Sequence, residues 1–326
     1  MKINVEKSLI KFRELKKIEK IPFDVFTLDL LTKGGIPEGR FTLLWGDKGA
    51  GKSTTALRLT KSFLLKYPDR KVCYMDFEHA FDVSWAEKIV GDTDNLLLAQ
   101  PDYAEEGIAL LQELIKNPEI GLYVIDSLAM IIPTSETDSE PDQDFVGLQA
   151  RTINKMLRKV IPMMSRHNKE GNPVTFVLIN QCRSSFGSKT FVKSYAKPGG
   201  YFQDFLASLE IRFYVDGVHK DEEVTKATTY AFVVEKNKVG GVPKVIGKYT
   251  MVHINTGKHK AGDVVDENII LDFLKKFDLL KKEKKYILLG EEYRTQAEIK
   301  DRIINEIDFK RKLTKLIMEK YYDTEM

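Results

Sequence analysis

The stretch Gly46-Asp47-Lys48-Gly49-Ala50-Gly51-Lys52-Ser53 decides how this chain reads. It meets every fixed position of the phosphate-loop pattern G-x-x-x-x-G-K-[ST], and its flanks agree. Phe41-Thr42-Leu43-Leu44-Trp45 before it is a short apolar run rich in β-formers. Thr54 to Lys66 after it carries Ala56, Leu59, Phe63 and Leu64 on one side at helical spacing. Strand, glycine turn and helix are the context the motif needs. The glycines let consecutive backbone N–H groups point inward at phosphate oxygens, and the helix N-terminus adds partial positive charge. Lys52 can then reach the β- and γ-phosphates, and the Ser53 hydroxyl can ligate Mg²⁺. The chain is predicted to bind a nucleoside triphosphate.

Working outward, Lys71 to Asp76 reads as the next strand, followed by Phe77-Glu78-His79-Ala80-Phe81-Asp82. Ligand groups in open α/β sheets sit at the C-terminal ends of strands, so Glu78 falls on the nucleotide side. Asn95 to Ala99 is a short strand and Glu105 to Lys116 an amphipathic helix. Leu122-Tyr123-Val124-Ile125-Asp126-Ser127 is an apolar run ending in an acid, a buried strand that delivers a carboxylate to the Mg²⁺ shell. Thr134 to Phe145 is acidic, contains proline and reads as a loop. Leu148 to Met164 is a helix bearing Arg151, Lys155, Arg158 and Lys159, and Val174 to Asn180 is a strand.

Cys182 to Gly200 has no core pattern. It interleaves Arg183, Lys189, Lys193 and Lys197 with Phe186, Phe191 and Tyr195. Cations neutralise phosphates and aromatic rings stack on bases, so this composition points to nucleic acid, an ordinary surface loop being the alternative. Leu206 to Val215, Thr228 to Glu235 and Lys244 to His253 are further strands, with a basic turn from Lys236 to Pro243. From about Asp266 the pattern changes to a helix, a small hairpin over Lys285 to Arg294, and terminal helices, forming a separate α+β lobe. Its Lys281 to Lys285 run is either a DNA-backbone contact or a solvated face. Met1 to Lys20 is a lysine-rich amphipathic stretch that cannot stand alone as a helix and must pack on this protomer or a neighbour.

Composition sets bounds. A chain of 326 residues allows one large core plus attachments. The formal net charge of +3 is too small to announce nucleic acid by itself, so any basic signal is local. Cys73 and Cys182 give no reason to pair, which fits a reducing cytoplasm. No signal-peptide core or membrane-length apolar run is present, so a cytoplasmic location is expected. The histidines lack metal-ligand spacing with the cysteines.

Together these residues resemble the RecA-type recombinases, from about Val25 to Lys285 or beyond. The likeness rests on the phosphate loop, Met75 to Asp82, Asn95-Leu96-Leu97 with Gln100-Pro101-Asp102, Ile125-Asp126-Ser127, Asn180-Gln181-Cys182-Arg183, Gly199-Gly200 and Lys236-Asn237-Lys238. The resemblance implies an α/β fold: a RecA-like P-loop ATPase core with a mostly parallel central sheet. It implies an N-terminal polymerisation arm (1–24), the core with DNA-binding loops (25–266) and a small α+β C-terminal lobe (267–326).

It also implies roles. ATP and Mg²⁺ would be held by Gly46 to Thr54 and Asp126, with Ser53 and Asp126 on the metal and Asp82 and Trp85 at the adenine. Glu78 is similar to the glutamate that polarises the attacking water, and Gln181 to the amide that senses the γ-phosphate. Lys236 and Lys238 match lysines that reach a neighbour's ATP, and Phe205 sits at an interface position. Thr134 to Phe145 and Cys182 to Lys197 look like the first and second DNA loops. Arg151, Arg183, Phe186, Lys189, Phe191, Lys193, Lys197, Gly199 and Gly200 are the DNA-binding candidates.

Departures are local. Asp47-Lys48-Gly49-Ala50 replaces the usual bacterial Pro-Glu-Ser-Ser, and the aromatic pattern of the second loop is its own. The chain ends without a long acidic tail, so tail-based autoinhibition is not expected. The implied protein is a DNA-dependent ATPase that forms helical filaments on single-stranded DNA and pairs it with double-stranded DNA. A RecA-like hexameric helicase and a regulatory ATPase that does not bind DNA are the alternatives.

Overall fold

Apolar runs and alternating stretches assemble into one eight-stranded sheet in a computed structural model that describes residues 17–137, 146–186 and 193–324. Its strands are β1 (Phe41–Gly46), β2 (Lys71–Asp76), β3 (Leu96–Ala99), β4 (Ile120–Asp126), β5 (Thr175–Gln181), β6 (Leu209–Asp221), β7 (Val224–Asn237) and β8 (Val245–Val252). In space they run β8-β7-β6-β1-β5-β4-β2-β3. Every neighbour from β6 to β3 is parallel, and β6-β7-β8 is an antiparallel extension. The mostly parallel sheet is the one the sequence leads to.

β1 and β4 are buried at every position because helices cover both faces of the sheet. On one face Leu44, Leu122 and Val124 pack with Ala56, Leu59 and Phe63 of α1 (Lys52–Lys66) and with Ala86 and Ile89 of α2 (Val83–Val90). On the other, Leu43, Tyr123 and Ile125 meet Ile108 and Leu111 of α3 (Ala104–Leu114) and Ile153, Leu157 and Val160 of α4 (Val146–Lys169). Consecutive residues of one strand thus serve opposite cores.

The C-terminal lobe comprises α5 (Glu267–Lys276), a three-stranded antiparallel sheet, α6 (Gln296–Asn305) and α7 (Ile307–Thr324). Its core includes Phe26 and Leu30 from the short helix Phe26–Leu31. Charges tie the same junction. Arg311 donates from Nε and Nη2 to the two Asp24 oxygens at 2.8 Å each. Lys310 pairs with Asp266 at 2.6 Å, and Asp266 accepts the Phe26 N–H at 2.9 Å.

Asp29 lies in this junction and accepts the Phe23 N–H at 2.7 Å. Burial, reinforced by the Asp24 carboxylate, pushes its carboxyl from 3.8 up to about 8. Between those values the native chain holds a proton that the unfolded chain has released, so this group's contribution to stability falls as pH rises through the window. Asp29→Asn removes that slope. In urea unfolding followed by circular dichroism, the variant should gain on the wild type from about pH 4 to about pH 8 and level off above that. Parallel pH profiles would remove Asp29 as the source.

Several elements differ from expectation. Arg183–Phe186 and Lys193–Ala196 pair antiparallel where a loop is expected, because Arg-Ser-Ser-Phe and Lys-Ser-Tyr-Ala show no alternation to announce a strand. Thr134–Thr137 is one helical turn. α4 continues past Met164 to Lys169 with Pro162 inside it. Lys-rich Leu280–Lys282 adds a third strand to the predicted hairpin. Lys20–Ile21 pairs with Ile36–Pro37 and Phe23 is fully buried, so the described end of the 1–24 segment packs on its own core. Among the described residues no helix is long and apolar enough to cross a membrane.

Candidate functional site

β1 delivers the phosphate loop to the C-terminal edge of the sheet. Gly46 takes φ +142°, and a Cβ there would stand 1.9 Å from the Phe213 carbonyl oxygen, so no other residue fits. Gly51 caps α1, which starts at Lys52. The buried Lys52 ammonium donates to the carbonyl oxygens of Gly46 at 3.2 Å and Asp47 at 2.7 Å. Burial lowers its pKa, and the nearby Asp126 carboxylate opposes that shift. Lys48, Gly49 and Ser53 are exposed, while Ala50 is buried under the loop.

The neighbouring strand ends add carboxylates. Asp126, the last residue of β4, is buried and accepts a 2.6 Å hydrogen bond from the Tyr74 hydroxyl. Burial raises its carboxyl, while hydrogen bonds from Tyr74 and Ser53 pull it back. Glu78 lies just past β2. Its Oε1 accepts from Gln181 Nε2 at 2.6 Å and from Ser127 Oγ at 2.6 Å. Asp76 organises the turn that carries Glu78: it accepts the Glu78 N–H, the Phe81 N–H and the Gln100 amide, each at 3.0 Å. Asp76 was not among the residues expected at the site. Its signal is an acid at a strand end before a tight turn.

Gln181 closes β5 beside Gly46 in the sheet register. The next residue bonds to the phosphate loop twice: Cys182 donates from its backbone N–H to the Gly46 carbonyl at 3.1 Å and from its thiol to Asp47 Oδ1 at 2.8 Å. Burial and the Asp47 carboxylate push that thiol up to about 11. On the other flank Asp82 caps α2 by accepting the Trp85 N–H at 2.9 Å, and the Trp85 indole donates to Thr54 Oγ1 at 3.2 Å. Lys52, Ser53, Thr54, Glu78, Asp82, Trp85, Asp126 and Gln181 lie together at this end of the sheet. An amine, a hydroxyl and hard carboxylates beside a helix N-terminus form a donor set that suits a triphosphate with a divalent cation.

Lys236 and Lys238 do not join them. Lys236 pairs across β6 with Glu210, which stands beside Leu43 of β1. That is about 10 Å along the strand from Gly46, toward the opposite edge of the sheet. The Lys236 ammonium donates to the Asp204 and Phe205 carbonyls. Burial and the adjacent Lys238 lower its pKa. Phe205 is 76% exposed and Tyr201, at the head of the same short helix Phe202–Leu206, is 81% exposed.

Among the nucleic-acid candidates, Arg151 is exposed on α4. Gly199 and Gly200 form a turn against that helix. A Cβ on Gly199, at φ +88°, would sit 2.9 Å from Ile153 Cδ1. Lys155, Arg158 and Lys159 extend the exposed basic row, at a spacing legible in the sequence. Lys197 departs from an exposed role: its ammonium pairs with Asp204 at 2.6 Å and with Glu210, and it lies 4.5 Å over the Trp45 ring. Arg183, Phe186 and Lys193 belong to the two-stranded hairpin. Lys189 and Phe191 lie outside the described residues.

Fold and loop together define a phosphate-loop protein with an α/β core. A family model described as the RecA N-terminal domain matches residues 4–254. Protein RecA of Sulfurimonas denitrificans is 33% identical over 265 residues, covering 81% of this chain and 74% of that protein. Protein RecA of Wolinella succinogenes is 32% identical over 266 residues, with 81% and 73% covered. A crystal structure of the RadB recombinase shares the fold with a TM-score of 0.50 at 18% identity, covering 70% of this chain and 94% of that one. The chain belongs to the RecA family.

Proposed function

We propose that this protein is a DNA-dependent ATPase that assembles on single-stranded DNA as a helical filament and promotes homologous pairing and strand exchange with double-stranded DNA in recombinational repair. The observation that carries the reading is the Gln181–Glu78 hydrogen bond at 2.6 Å. It links the Glu78 carboxylate to the strand end that leads directly into the basic aromatic segment 182–200. A change at the γ-phosphate is thereby felt where DNA would be held, and by linkage DNA binding would be felt at the nucleotide.

In this reading water attacks the γ-phosphorus, the bond to the β-phosphate oxygen breaks, and Glu78 takes the proton from the attacking water. Lys52 and the loop N–H groups neutralise phosphate charge. A Mg²⁺ ion held by Ser53 and Asp126 would supply further neutralisation at the β- and γ-oxygens. Asp82 and Trp85 flank the base. Lys236 and Lys238 stand too far from their own loop, so they act on the nucleotide of an adjacent protomer, in the manner of an arginine finger supplied in trans. Phe205 joins that interface, with residues 1–24 as the arm, 25–266 as the core and 267–326 as the lobe. Arg151 with the Gly199–Gly200 turn grips the DNA backbone, and base pairing supplies sequence specificity. A cytoplasmic site of action follows from this role.

The test is ATP hydrolysis with and without single-stranded DNA, with negative-stain imaging of the same samples. Stimulated hydrolysis and helical filaments are expected. Closed rings with duplex unwinding would replace the reading with a helicase. Hydrolysis indifferent to DNA, without filaments, would leave a regulatory ATPase.

A further inference from the structure

Tyr74 sits on β2 with its side chain in the core: it is 2% exposed. Its ring is held edge-on against Phe81, centroids 4.9 Å apart. One polar atom breaks this apolar setting. The hydroxyl donates to Asp126 Oδ2 at 2.6 Å. Phenylalanine would fill the same volume and keep the Phe81 contact, so packing does not call for the oxygen. A phenol O–H is a hydrogen-bond donor at neutral pH. Its single proton goes to Asp126, one of the side chains assigned above to a divalent cation.

We propose that Tyr74 is the positioning residue of the cation site, fixing the Asp126 carboxylate so that its second oxygen, with the Ser53 hydroxyl, is presented to Mg²⁺. A carboxylate turns easily about its last torsion, and a hydrogen bond to one oxygen removes that freedom. The inference rests on the nucleotide and Mg²⁺ reading of the site. Hydrogen-bond partners of metal ligands typically change metal affinity by about 10–100-fold.

The test is Tyr74→Phe in the full chain. Mg²⁺ is titrated at a fixed, subsaturating concentration of a fluorescent ATP analogue, and bound analogue is read without turnover. The Mg²⁺ midpoint is expected to rise about 10-fold. Analogue binding should recover to the wild-type level at saturating Mg²⁺, with melting temperature essentially unchanged. A midpoint equal to the wild type's overturns the proposal alone. A loss that excess Mg²⁺ does not restore, with a lowered melting temperature, also overturns it and marks Tyr74 as structural. Wild-type binding that is the same with and without a chelator overturns both the proposal and the Mg²⁺ reading beneath it.

Discussion

Lys52→Ala is expected to reduce ATP turnover by at least about 10²–10³-fold, the scale set by removing one preorganised donor from developing charge. The geometry argues for the upper end. Lys52 is buried, and its ammonium bonds to the Gly46 and Asp47 carbonyls of the loop itself. Alanine therefore removes a phosphate partner and also leaves two loop carbonyls without their donor. Steady-state hydrolysis with a thermal melt on the same sample separates these effects: turnover is lost while the melt shifts little.

Mixing adds information. Lys52→Ala protomers keep an intact Lys236, and Lys236→Ala protomers keep an intact loop. If Lys236 acts across a boundary, an equal mixture of the two crippled proteins recovers about a quarter of the competent interfaces, as random head-to-tail assembly dictates. A mixture no better than the sum of its parts would place Lys236 outside the neighbour's chemistry.

Glu78→Gln is expected to slow hydrolysis by about 10²–10⁴-fold while ATP and DNA binding persist, since only the proton acceptor is lost. Glutamine has the same shape and its amide oxygen still accepts from Gln181 and Ser127, the partners Glu78 has at 2.6 Å each. The loop and the segment beyond Gln181 stay tethered, and filaments should form and fail to turn over. Single-turnover kinetics on preassembled filaments is the measurement. Unchanged turnover would remove Glu78 from the reaction.

The phosphate loop, its strand and its helix are legible because each is written locally: glycines at fixed spacing, then one apolar face at period 3.6. β4 is legible as well, since burial on both faces leaves an unbroken apolar run ending at Asp126. Long-range pairings are not. Nothing in Lys197 distinguishes a DNA contact from a lysine seated on Trp45 between Asp204 and Glu210; only the fold brings those partners in. Tyr74 reads as one more strand residue until β4 lies alongside and Asp126 meets its hydroxyl. The Asp76 turn is hard to read because two of its three bonds go to backbone N–H groups, which no residue type announces, and the third comes from the distant Gln100.

The clasp between Asp24 and Arg311 has a consequence for the ribosome. Its partners are 287 residues apart, so at about 5–20 residues per second some 15–60 s of synthesis separate them. Through that interval Phe26 and Leu30 have no lobe to cover them. The earliest-made part of the core is thus the last to be finished, and a chain stopped before α7 keeps an open apolar seat and an Asp24 carboxylate that has lost its guanidinium and retains the Ser62 hydroxyl. Prematurely ended copies carry their own mark for chaperones and proteases, and completed ones erase it by folding.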